Sequence, residues 1–210
     1  MKLKKINPIR MAIDATAGSG STSLAIKLAK HYNLRYLDTG KVYRWCAYEI
    51  FKKKPKNKIK FLKKRIKSLN LKELQNKNLI DDKIAQLTSK ISSNINLRKI
   101  VFNFQSKIAY DIPKGYKGSI LNGRDVTHNI VPDADFKFYV TANLKTRATR
   151  RYKELKGLKK KVTYEEVLKS IKNRDKSDLS RKISPLKRTK DSLLINTTNL
   201  NKRACFLKIK

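Results

Sequence analysis

A parallel-sheet α/β fold is what this sequence predicts, on three observations. Apolar runs of strand length alternate with amphipathic helical stretches from the start of the chain. The first such run, residues 10–14, leads straight into a turn carrying Gly18 and Gly20 and then into a helix. Five runs of this kind recur along the 210 residues, which is enough chain for one α/β domain with a modest insertion or lid.

The elements follow in order. Residues 10–14 read as a buried strand. Leu24, Leu28 and Tyr32 give residues 22–32 helical spacing. "LRYLDTG" (Leu34–Gly40) is a short strand ending in a turn, and "KVYRWCAYEIF" continues as a helix, completing a βαβα start. Residues 52–77 are dense in lysine, with Ile59, Leu62, Ile66 and Leu69 at helical spacing. They read as part of an insertion outside the main sheet. "NLRKIVFNFQSKIAY" (Asn96–Tyr110) is another helix, and "GSILNGRD" (Gly118–Asp125) and "FKFYVTA" (Phe136–Ala142) are buried strands. "LKTRATRRYKEL" is a cationic helix. Thr163 and Glu166 stand at capping-box spacing at the head of the next helix, residues 163–175. "DSLLINTT" (Asp191–Thr198) supplies the fifth strand. The sum is a three-layer fold with helices on both faces of a five-stranded parallel sheet.

Bulk properties narrow the class. A hydrophobic content of 40% supports a packed core. Two cysteines, Cys46 and Cys205, exclude a disulfide framework and a four-cysteine zinc site and suit a reducing cytoplasm. The basic start "MKLKKINPIR" lacks the apolar stretch of a signal peptide. Nothing approaches the roughly 18 consecutive apolar residues of a membrane span, so a soluble, cytoplasmic protein without a membrane partner is expected. The net charge of +36 would suit a nucleic-acid binder, but 39 of the 52 basic residues are lysine, spread over the whole chain. With no aromatic RNA-binding motif, a solvated lysine-rich surface is the simpler reading, and no specific nucleic-acid partner is expected. A field this positive still draws in anionic nucleotides.

The segment Ala15–Ser23, "ATAGSGSTS", has the setting of a phosphate-binding loop, in which backbone N–H groups and a helix N-terminus face the anion. Against the pattern G-x-x-x-x-G-K-[ST], Ala15 stands for the first Gly and Ser21 for the Lys. Thr22 or Ser23 offers a hydroxyl to Mg²⁺. As a bare pattern this is weak, because a strand, a turn and a helix with chance glycines would read the same.

Further segments add weight. "YLDTGKVYR", "GRD", "RATRRYKEL", "VTYEEVLKSIKNRDKSDLSRKISPLK" and "NTTNL" occur in the order and spacing seen in bacterial cytidylate kinases, and this resemblance runs from about Met11 to Leu200. It implies the P-loop NTPase version of the fold, with ATP and CMP or dCMP as substrates, Mg²⁺ with the ATP, and a monomeric nucleoside monophosphate kinase. It also implies one domain over residues 1–210: a core of about 9–52, 96–150 and 185–210, a monophosphate-binding insertion of about 53–95, and a short lid of about 151–184. ATP is expected along Ala15, Thr16, Ala17, Gly18, Ser19, Gly20, Ser21, Thr22 and Ser23. CMP is expected on Thr39, Arg44, Ser89, Arg98, Arg124, Asp125, Arg174, Asp178 and Arg181. Arg147, Arg151, Arg174 and Arg181 are expected to serve the transferring phosphoryl group, and Lys41 and Arg150 are further candidate cations. Eight of the 13 arginines fall on pattern positions in a chain that uses lysine elsewhere, as a need for a planar bidentate fork on phosphate would produce.

The donor side departs from the pattern at Ala15, Ser21, Asn122 (for Asp) and Ser177 (for the middle Arg of R-D-x-R-D), and "THN" (Thr127–Asn129) follows "GRD-V" where the family has Gly-Thr. A Cβ at Ala15 is expected to crowd the turn, and loss of the loop Lys to weaken activity. Two other readings compete with a (d)CMP kinase: a CMP-binding protein without turnover, and a nucleic-acid binder using the positive charge. The ten residues after "NTTNL" predict a shortened last helix that leaves one sheet face less covered.

Overall fold

The computed structural model describes residues 7–210 and consists of five strands and eight α-helices among them. The lysine-rich start, residues 1–6, lies outside the described residues. Two compact units divide the chain: one comprises the residues up to Tyr36 together with Ile112–Lys210, the other Leu37–Asp111. The second is wider than the 53–95 insertion expected from the sequence, because the helices flanking that segment share its core.

In the first unit, β1 (Ile9–Ala15) leads through the glycine turn into α1 (Ser21–Tyr32). Then come the start of β2 (Leu34–Asp38), β3 (Gly118–Gly123), β4 (Phe136–Thr141), α6 (Leu144–Gly157), α7 (Tyr164–Ser180), β5 (Leu193–Asn196) and α8 (Lys202–Leu207). The sheet order is β2-β3-β1-β4-β5, with β1 parallel to β3 and β4, and β4 parallel to β5. Asp14 is level with Gly123 on one side and Tyr139 on the other. The carboxyl ends of β1, β3 and β4 therefore line up, and β1 has neighbours on both sides, which is where open α/β sheets form their ligand crevice.

Ile13, Leu24, Leu28, Ile120, Val140 and Ile195 form the core between α1 and the sheet. The six-residue α8 closes onto the same core through Cys205, with Leu200, Phe206 and Ile209 packed beside it. Short as it is, α8 therefore packs on the sheet core that a shortened last helix was expected to leave less covered. A separate apolar cluster of Ala148, Val167 and Ile171, from α6 and α7, packs on Ala17 of the turn. The capping box at Thr163 forms as expected and starts α7.

The second unit contains α2 (Thr39–Lys53), α3 (Lys58–Arg65), three short 3-10 turns, α4 (Asp82–Ile91) and α5 (Ile95–Tyr110). Asp38 caps α2 by accepting from the N–H groups of Gly40 and Lys41. The lysine-dense stretch is held by one arginine. Arg65 donates to Glu49 at 2.9 Å and Glu73 at 2.6 Å and lies over the Trp45 ring, while its lysine neighbours are exposed. The helical spacing over 52–77 resolves into α3 plus 3-10 turns, because Asn70 and Asn76 cap new turns instead of continuing the helix.

Candidate active site

The turn after β1 has the backbone of a phosphate loop. Gly18 (φ +75°) and Gly20 (φ +88°) occupy left-handed positions, and Gly20 is the N-cap of α1. A Cβ on Gly18 would also meet the Arg147 carbonyl oxygen at 3.1 Å. The first-turn N–H groups of α1 have no intrahelical partner by helix geometry, so they face outward at the positive end of the helix dipole.

Ala15 is the last residue of β1 and is fully buried, part of the apolar core that the sheet shares with α1. Thr16 is fixed by its N–H to Val140 O (3.1 Å) and its hydroxyl to that of Thr141 (3.1 Å). Ser21 is buried, Thr22 exposed and Ser23 half-buried. One departure from the pattern meets a residue that keeps it: Asn122 Nδ2, at the end of β3, donates to Thr22 Oγ1 at 3.2 Å. Ser19 Oγ is buried without a hydrogen-bond partner.

Two arginines of α6 grip this loop from behind. Arg147, expected on the transferring phosphoryl group, is only 6% exposed. Its Nε donates to Ala142 O (2.8 Å), and its Nη1 to Ala17 O (2.9 Å) and the Asp175 carboxylate (2.6 Å). A guanidinium so committed braces the loop instead of roofing it. Arg150 reaches Thr197 Oγ1, Thr197 O and Leu200 O at 2.7–3.0 Å, and Ser19 O at 3.4 Å. Thr197 Oγ1 itself donates to Ser19 O at 2.8 Å. Arg151 remains half-exposed and pairs with Glu154 at 2.9 Å. Lys27, on the outer face of α1, donates to Lys202 O.

Past β3, Asp178 gathers three of the expected arginines. Arg124 Nε donates to it at 2.8 Å, Arg181 Nη1 lies at 3.6 Å and Arg174 Nε at 3.9 Å. One carboxylate among three guanidiniums leaves a net positive cluster suited to a phosphate dianion. Asp125 is buried and accepts from Asn129 Nδ2 at 3.1 Å. Ser177 is exposed on α7.

The segment after Asp125 is a π-helical turn, Val126–Ile130, anchored by a residue the sequence reading passed over. Asp14 is fully buried in β1 and accepts from Val126 N (2.8 Å), Thr127 N (2.9 Å) and Thr127 Oγ1 (2.6 Å). Burial pushes its carboxyl up to about 6, against the pull of those donors, with nearby Asp125 adding to the rise. His128 Nδ1 lies 4.0 Å away, and burial together with Lys187 pushes that imidazole down, so it is neutral near pH 7. A lone acid inside an apolar strand was the available signal for Asp14. Asp175 stands in the R-D-x-R-D motif and Thr197 in "NTTNL", so motif membership was the available signal for both.

In the second unit, Thr39 is buried at the start of α2, its carbonyl accepting from Gln105 Nε2 at 3.3 Å. Arg44 Nη1 donates to Leu79 O at 2.8 Å, and the Arg98 guanidinium sits over the Tyr43 ring, 5.5 Å from its centroid. Ser89 is exposed on α4 and donates back to Ala85 O at 3.2 Å. Lys41 donates to Gln75 at 3.3 Å.

Mg²⁺ favours hard oxygen ligands and keeps several waters. The hydroxyls of Thr22 and Ser23 meet that preference, but both are neutral, and Thr22 already accepts from Asn122. Among the described residues no cluster of three or more His, Cys, Asp or Glu could hold a metal. The donor set thus fits an ion that arrives already bound to a triphosphate. No helix among the described residues is long and apolar enough to cross a membrane.

Comparison with known proteins agrees with this geometry. The family model described as cytidylate kinase matches residues 11–209. A cytidylate kinase of Bartonella tribocorum is 38% identical over 206 residues, covering 96% of this chain and 92% of its own. One from Mesomycoplasma hyopneumoniae (strain 7448) is 36% identical over 214 residues, with 96% and 90% covered. One from Fusobacterium nucleatum is 36% identical over 203 residues, with 91% of each covered. In fold, the chain is similar to an uncharacterized protein from Eubacterium ventriosum, with a TM-score of 0.52 at 18% identity, covering 96% of this chain and 95% of that one. A family match over nearly all of the chain, joined to a glycine turn and an arginine cluster in one unit, leads to one conclusion: this chain belongs to the cytidylate kinase family.

Proposed function

We propose that the chain transfers the γ-phosphoryl group of ATP to CMP or dCMP. The observation that carries this reading is the assembly of Arg124, Arg174 and Arg181 on Asp178, in the unit that also holds the phosphate loop. The acceptor is already a phosphate oxyanion, so no side chain need act as a strong base. What the protein supplies is position and positive charge.

The N–H groups of Gly18 and of Gly20 to Ser23 cradle the triphosphate, and Ser23 or Thr22 would meet its Mg²⁺, which when bound neutralises charge on the phosphates. Arg124 and Arg181 hold the phosphate of CMP, and Arg174 with Asp178 its pentose. Arg151, Arg174 and Arg181 face the charge that develops in transfer. Asp125 accepts from the cytosine N4 amine; uracil presents no donor there, so such a pocket would discriminate strongly. For Thr39, Arg44, Ser89 and Arg98 the proposed role is CMP contact, Ser89 and Arg98 at the cytosine edge. The lid is taken as residues of about 151–184.

A coupled assay on the purified protein tests this. CMP-dependent ADP formation is expected, together with calorimetric CMP binding that is lost in Arg98→Ala or Asp125→Ala. Turnover indistinguishable from a blank removes the enzyme.

A further inference from the structure

The backbone of Ala17 is held on both sides of its Cα by one ion pair. Its N–H donates to Asp175 Oδ1 at 3.3 Å, its carbonyl accepts from Arg147 Nη1 at 2.9 Å, and the same Nη1 closes on Asp175 Oδ2 at 2.6 Å. The ring links residues 158 positions apart. Arg147 extends it to the end of β4 through Ala142 O. We propose that the Arg147–Asp175 pair is a positioning device that sets the conformation of the donor phosphate loop, an inference that rests on reading this turn as the ATP site.

Three features argue for positioning over plain stabilisation. First, a buried ion pair is a poor source of stability, since desolvation offsets its Coulombic gain. Apolar packing by the Ala148, Val167 and Ile171 cluster already joins α6 and α7 beneath Ala17. Second, the pair decides which amides face the anion. With its N–H turned to Asp175, Ala17 is not a phosphate donor, and Ser19 N–H is spent within the turn on Thr16 O at 3.3 Å. The donors left to the loop are Gly18 and the residues from Gly20 onward, so the direction of the Ala17 peptide sets the cradle. Third, Asp175 and Asp178 are three residues apart on α7 and so share a face, their Cβ atoms roughly 5–6 Å apart. One helical turn thereby keys the loop through Asp175 and the three arginines through Asp178. With Ser21 in place of the loop Lys, more of the triphosphate affinity falls on backbone donors, and so on whatever fixes their direction.

Isothermal calorimetry of wild-type, Asp175→Asn and Arg147→Lys proteins with Mg-ATP and, separately, CMP provides the test. The amide of Asp175→Asn keeps an acceptor for one partner only, and the ammonium of Arg147→Lys keeps the charge but loses the fork. Asp175→Asn is expected to weaken Mg-ATP by about tenfold or more, Arg147→Lys by less, and both to leave CMP affinity within about twofold. Loss of stability alone would not move the dissociation constants of the folded protein. Equal Mg-ATP affinity in all three proteins overturns the proposal. So does an equal loss of CMP affinity, or a wild-type protein that does not bind Mg-ATP. Should Asp175→Asn fail to fold, Arg147→Lys decides alone. Because binding is read without turnover, a wild-type protein that binds Mg-ATP yet phosphorylates nothing would defeat the kinase reading while leaving this one standing.

Discussion

Asp14 makes the stability of this protein depend on pH in a window of its own. Its carboxyl is fully buried and pushed up from 3.8 to about 6, mainly by desolvation. The unfolded chain holds the proton less tightly than the folded one, so the contribution of Asp14 to stability is fully present below 3.8. It is lost as pH rises through about 6. The whole effect is about 3 kcal/mol, of which somewhat under half, about 1 kcal/mol, falls between pH 7 and pH 5. Urea unfolding of the wild type and of Asp14→Asn across pH 4.5–7.5 measures it. The Asn variant loses one acceptor for the Val126 or Thr127 N–H, which shifts its whole curve by about 1–3 kcal/mol. Asn cannot titrate, so the wild-type minus variant difference isolates the carboxyl. That difference should climb toward the wild type as pH falls. A difference that is flat, or that falls, between pH 7 and pH 5 refutes the reasoning, and with it the account of Asp14 as a desolvated anchor for the turn after Arg124 and Asp125.

Two further outcomes follow from the site. Ser21→Lys restores a cation at the head of α1, and steady-state kinetics should show a rate increase of about 10–10²; an unchanged rate would mean that the loop no longer directs that position at the phosphates. Asp178→Ala removes the carboxylate that orients Arg124, Arg174 and Arg181. Calorimetry should show CMP weakened by about tenfold or more with Mg-ATP little changed, and CMP affinity equal to wild type would count against the cluster as the acceptor site.

Much of the architecture was legible because it is locally encoded. The strand and helix runs obey their periods, so β1, α1, α5, β3, β4 and β5 lie within a residue or two of where the sequence places them. The capping pair at Thr163 and Glu166 works over three residues, and it forms. The Lys-dense stretch carries apolar residues at helical spacing and reads as part of an insertion outside the main sheet. Asn70 and Asn76 compete for the backbone and break it into 3-10 turns, a contest that periodicity does not register. The π-helical turn at Val126–Ile130 escaped for a similar reason: Asp14, 112 positions away, supplies the acceptor its first N–H groups need.

By itself, then, the sequence determined a parallel sheet, a glycine turn at the end of its first strand and a set of arginines too selective for a lysine-rich chain. Only the tertiary structure decided what each charged group does. Arg147 looked like an arginine for the transferring phosphoryl group and is a buried brace, because Asp175 and the Ala17 carbonyl meet it where α6 and α7 pack under the loop. Ala15 looked like a clash and is core, because the strand extends one residue further than the pattern implies. Period and capping act over a few residues and can be read along the chain, whereas the energy of a buried charge is set by the partners folding brings to it, for Arg147 the carboxylate of Asp175 on the next helix and the Ala17 carbonyl 130 positions back.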